Sequence, residues 1–67
     1  MKKIENADII GYKSWKANDK SYMLIAVTFT EKETQGKMCG TVFVNKPYQV
    51  GTKINVIQHQ GRLYVID

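Results

Sequence analysis

Basic and aromatic side chains alternate along the first third of this chain, a combination that suits contact with a nucleic acid. An aromatic ring stacks on any base, contributing about 1–3 kcal/mol per base, while a neighbouring cation neutralises phosphate. Residues 12–22 contain three rings and three lysines, and 46–48 and 62–64 repeat the pairing. The candidate nucleic-acid-binding residues are Tyr12, Lys13, Trp15, Lys16, Lys20, Tyr22, Lys46, Tyr48 and Arg62.

The same rings also have a purely structural explanation. A chain of 67 residues has a thin core, because domains of this size bury only about 60% of the surface that the unfolded chain exposes. Large side chains are therefore needed to complete it. Tyr12, Trp15 and Tyr48 fit either explanation, whereas Phe43 and Tyr64 fit a place in the core better.

Residues that could support catalysis are few and scattered. His59, the only histidine, falls in a predicted turn without an evident partner for general base chemistry. Cys39, the only cysteine, lies within a predicted strand and is explained more simply as a small buried or half-buried thiol. One cysteine and one histidine cannot complete a zinc site. We expect no catalytic residue, no metal and no cofactor, and therefore no enzyme.

Composition narrows the cellular location of the protein and the kinds of partner it could bind. The net charge of +4 suits a polyanionic partner without requiring one. No segment approaches the roughly 20 apolar residues of a membrane span, and Met1–Asp8 lacks the apolar stretch of a secretory signal. A lone thiol favours the cytoplasm. We expect one domain over residues 1–67, with no membrane association, and a homodimer as one way to compensate for the thin core.

Short β-branched and aromatic segments, separated by turn residues, predict an all-β fold without helix. Within the second segment, Ile25, Val27 and Phe29 share the expected core face. Gly11 is expected at a bulge or bend of the first strand, and Asn18-Asp19 at a tight turn. The predicted strands are Ile4–Lys16, Ser21–Thr30, Lys37–Val44, Thr52–Gln58 and Arg62–Ile66.

Five strands in a chain of this length indicate a small antiparallel barrel, since closure removes exposed sheet edges. OB-like and SH3-like barrels both have this size. The long first strand, paired with an equally long second strand, favours the OB-like barrel, and the SH3-like barrel is the alternative.

The order of these features resembles a known group of proteins. Gly11-Tyr12-Lys13-Ser14-Trp15 followed by Lys20-Ser21-Tyr22, and the closing segments 50–56 and 60–65, are similar to the first hairpin and last two strands of small single-stranded-DNA-binding proteins. The nearest group is the helix-destabilising proteins of filamentous phages and their counterparts on Gram-positive mobile elements. The resemblance implies a dimeric, OB-like barrel that binds single strands without strong sequence preference. After Lys37 this chain is shorter, leaving little room for the protruding hairpin that the phage proteins use for dimerisation and cooperative binding.

These observations lead to two functional hypotheses. The first is non-catalytic binding of single-stranded nucleic acid, most simply DNA, by stacking and phosphate neutralisation. The second is a small protein-interaction module, such as a phage- or plasmid-encoded inhibitor, in which the same rings anchor a partner protein.

Overall fold

A five-stranded antiparallel sheet makes up the fold in the computed structural model, which describes residues 2–66. The strands are β1 (Lys2–Ala17), β2 (Lys20–Thr30), β3 (Lys37–Val44), β4 (Lys53–His59) and β5 (Arg62–Val65). Their order across the sheet is β3-β2-β1-β4-β5, and no helix occurs among these residues. The all-β prediction is confirmed, and every predicted strand boundary lies within two residues of the observed one.

Two hairpins close through two-residue turns whose residues have left-handed backbone geometry. Asn18 and Asp19 have φ of 51° and 63°, and Gln60 and Gly61 have φ of 51° and 76°. Positive φ at both central positions is the type I′ pattern, whose twist matches that of the flanking strands. The tight turn predicted at Asn18-Asp19 is therefore confirmed.

The second turn offers a test of backbone strain alone. At Gly61 an added Cβ would meet nothing within 4 Å, so Gly61→Ala should cost about 1 kcal/mol through its positive φ. Gly36→Ala is the matched control, because its added Cβ would make only an ordinary contact of 3.5 Å with Thr34 Oγ1. Urea unfolding of both variants measures the difference. Equal stability of the two would contradict the prediction.

Two bulges divide β1 into segments with different partners. The first is at Gly11, as predicted: the pairing with β2 shifts between Ile9 and Gly11, and Ile10 is the extra, exposed residue. The second falls between Ile4 and Ala7, where Asn6 has a φ of 58°. There the backbone N–H of Asn6 donates to Asn55 Oδ1 at 3.0 Å. Bulges bend a strand and increase its twist, and β1 accordingly pairs with β4 over its first half and with β2 over its second.

The core lies on one face of this curved sheet. The predicted core positions Ile25 and Val27 are fully buried, and Phe29 is half-buried. For β5 the sequence did not indicate which residues face inward. In the structure, Leu63 and Val65 pack against the core. The fully buried core consists of Ala7, Ile9, Ile25, Val27, Val42, Ile54 and Val56.

The two edge strands approach each other without pairing. β3 and β5 are at opposite ends of the strand order, yet a Cβ added to Gly40 would lie 2.7 Å from Leu63 Cδ1. The side chain of Leu63 thus lies directly against the backbone of β3. No hydrogen-bonded ladder joins these strands within the described chain, so the sheet is not closed into a barrel.

Candidate nucleic-acid interface

Trp15 and Tyr22 form a stacked pair near the end of the β1–β2 hairpin. They are directly opposite in the ladder, so their side chains share one face of the sheet. Their ring centroids are 5.6 Å apart with planes inclined at 21°. Since Ile25 points into the core and side chains alternate along a strand, Tyr22 and Trp15 lie on the outer face.

Phe43 adds a third ring to this pair. It lies in β3 opposite Leu24, with its ring centroid 6.3 Å from that of Trp15 at an angle of 52°. We call Trp15, Tyr22 and Phe43 the outer aromatic cluster. Lys13 borders it, with its Nζ 5.7 Å from the Trp15 ring centroid.

The interpretation of Phe43 and Tyr64 as core residues is wrong. Phe43 is 65% exposed and Tyr64 48% exposed. Strand alternation accounts for both, because Phe43 follows the buried Val42 and Tyr64 precedes the inward-facing Val65. The signal that would have found Phe43 was therefore present in the sequence, where Val42 and Phe43 already fall on opposite faces of the predicted strand.

A groove continues from Phe43 towards β5. Lys46, Tyr48 and Tyr64 line it together with Phe43, and Lys46 Nζ lies 5.5 Å from the Tyr48 ring centroid. Tyr48 is half-buried and packs against the core, so it contributes to the scaffold as well as to the groove. Arg62 lines the adjacent opening between β3 and β5, which Phe43 also borders.

Two of the predicted residues, Tyr12 and Lys16, lie on the opposite face of the sheet from this arrangement, whereas Lys20 lies on the same face. Tyr12 is opposite the buried Ile25 and so points to the inner face, where it remains 37% exposed. Lys16 is opposite Ser21. It lies four positions after Tyr12 on the same strand, so its side chain also points to the inner face. Lys20 is exposed beside the turn, on the outer side of the hairpin. The structure thus brings Lys13, Trp15 and Tyr22 together. Lys46, Tyr48 and Arg62 line the groove and the opening that Phe43 borders, whereas Tyr12 and Lys16 point to the inner face.

The charges of the described residues are distributed unevenly around the sheet. Neither the groove nor the β3–β5 opening has an acidic residue in its lining. At the other end of the sheet, Asp8 accepts a hydrogen bond from Lys53 at 2.6 Å and Glu31 accepts one from Lys2. These lysines lower the pKa of Asp8 and of Glu31, and the contact with Glu31 raises the pKa of Lys2. Asp8 and Glu31 are thus paired with lysines at that end of the sheet.

Three further observations concern alternative sites. Cys39 is exposed, so its interpretation as a buried or half-buried thiol is wrong. Within residues 2–66, no group of three or more histidine, cysteine or acidic side chains is placed to hold a metal ion. The same part of the chain has no helix with the length and apolar character to cross a membrane.

Comparison of the chain with protein-family models, with curated proteins and with solved structures finds no match.

Proposed function

We propose that this protein binds single-stranded nucleic acid, most simply DNA, without catalysing a reaction. The outer aromatic cluster would stack on bases, while Lys13, Lys46 and Arg62 neutralise phosphates. The observation that supports this proposal is the contact of three rings on an exposed face. The adjoining groove and the β3–β5 opening each have one basic residue and no carboxylate in their lining. Base–aromatic stacking combined with phosphate neutralisation is the usual mode of sequence-independent single-strand binding.

The proposal includes an OB-like architecture, as a partly open barrel with its opening between β3 and β5. OB folds are five-stranded and partly open, and they bind oligonucleotides on the face of their second and third strands. In this chain the outer faces of β2 and β3 present Tyr22 and Phe43. A homodimer and a cytoplasmic location, which would keep the exposed thiol of Cys39 reduced, complete the proposal.

The test is a titration of Trp15 fluorescence with a short oligothymidylate at 50 and 200 mM salt. Trp15 is the only tryptophan and belongs to the cluster, so a base bound against any ring of the cluster should quench or shift its emission. With three phosphate contacts the log–log slope with salt is roughly −2, which lowers the affinity roughly 20-fold between the two conditions. A duplex of equal length is the control, because its bases are not free to stack. An unchanged signal at low salt with protein at tens of micromolar would overturn the proposal.

The rival function, docking on a partner protein, is favoured by the exposure of Phe43 and Tyr64. Contiguous exposed rings mark protein-interaction sites as well. That function predicts a weak dependence on salt and a partner that stays bound after nuclease treatment. The salt titration therefore separates the two functions.

A further inference from the structure

Phe43 is exposed in a protein that has few large apolar side chains with which to build its core. The chain contains two phenylalanines; Phe29 packs against the core, whereas Phe43 leaves 65% of its surface in water. Unlike tyrosine or tryptophan, phenylalanine has no polar group that would favour an exposed position. Its contact with the Trp15 ring still leaves most of the Phe43 side chain in water, where it is accessible to a ligand.

Trp15 is less accessible to a base than Phe43. It is half-buried, and one face of its ring stacks against Tyr22. The ammonium group of Lys13 also lies over the ring. Trp15 therefore already has an aromatic partner in the free protein and is suited to supporting neighbouring rings.

Phe43 borders all three parts of the proposed site, which are the outer aromatic cluster, the groove and the β3–β5 opening. It contacts the Trp15 ring, lines the groove with Lys46 and Tyr64, and borders the β3–β5 opening together with Arg62. Phe43 therefore connects the outer aromatic cluster with the groove and the β3–β5 opening, whose cations can contact phosphates of a nucleic acid that stacks a base on this ring.

Resting on the proposed function, we propose that Phe43 is the principal base-stacking residue of the site. One base of the bound single strand stacks on its ring. The nucleotides on either side extend towards the Trp15–Tyr22 pair and towards Tyr64.

Fluorescence anisotropy of a labelled oligothymidylate, measured with Phe43→Leu, Phe43→Trp and wild-type protein, tests this assignment. Phe43→Leu retains an apolar side chain but has no ring, and should weaken binding about five- to 150-fold, the range for one lost base–aromatic stack. Phe43→Trp should bind at least as tightly as wild type. The slope of affinity against salt should be the same in all three proteins, because stacking releases no counterions.

Ile10→Ala is the matched control and should leave affinity unchanged. It removes an exposed apolar side chain that lies outside the outer aromatic cluster, the groove and the β3–β5 opening. Circular dichroism verifies that each variant is folded. If wild-type protein binds and Phe43→Leu binds equally well, or Phe43→Trp binds as poorly as Phe43→Leu, this inference is wrong and the proposed function stands. If wild-type protein does not bind at low salt, both are wrong.

Discussion

Replacing Ile25 by alanine is expected to remove a large part of the free energy of unfolding of this protein. Ile25 has no exposed surface and lies in the middle of β2, between Tyr12 on β1 and Val42 on β3. Truncating a buried isoleucine to alanine costs about 2–5 kcal/mol. At about 0.05–0.15 kcal/mol per residue, the whole chain has a stability of only about 3–10 kcal/mol. The single cysteine allows no internal disulfide that could offset the loss.

Urea unfolding followed by circular dichroism measures this effect. Val50→Ala is the control, because Val50 is 53% exposed and surface truncations usually change stability by less than about 0.5 kcal/mol. A loss below about 1 kcal/mol for Ile25→Ala would show that the centre of the sheet is not the core described above.

Removing the three cations of the proposed site should nearly abolish the salt dependence of binding. In the triple variant Lys13→Gln, Lys46→Gln and Arg62→Gln, the log–log slope should rise from roughly −2 towards zero. At 50 mM salt the affinity for oligothymidylate should fall by roughly two to three orders of magnitude, since release of counterions supplies that part of the binding free energy. Titrations over a series of salt concentrations give both quantities.

A second triple variant separates local contacts from net charge. Lys3→Gln, Lys32→Gln and Lys37→Gln remove the same number of charges from the cleft between the start of β1 and the end of β2. This variant should keep the steep slope and most of the affinity. An equal loss in both triple variants would mean that overall charge attracts the nucleic acid and that the aromatic face has no special role.

The features set by local sequence were predictable. Alternation placed Ile25 and Val27 in the core, and Asn18-Asp19 gave the turn because both residues tolerate positive φ. The bulge at Asn6 was not predictable, since it depends on a hydrogen bond to Asn55 on β4, whose proximity only the fold creates.

The position of Tyr12 shows how one bulge alters a predicted surface. Between the two bulges, the inward-facing residues of β1 are the odd-numbered Ala7 and Ile9. The extra residue Ile10 reverses the alternation, so Tyr12 faces inward and Trp15 outward. The sequence predicted a bulge or bend at Gly11 but did not indicate which of the two rings it would turn outward.

The central place of β1 in the sheet has a kinetic consequence. The β1–β2 and β4–β5 hairpins have two-residue turns and can form within about 1–10 μs. The two hairpins join only when the start of β1 pairs with β4. This pairing sets Lys2 opposite Gln58, so the loop that must close contains most of the chain. Because such long-range closure must precede the contacts that stabilise it, we expect docking of the two hairpins along β1 to limit the folding rate. Pairing of β3 with β2 does not depend on this step.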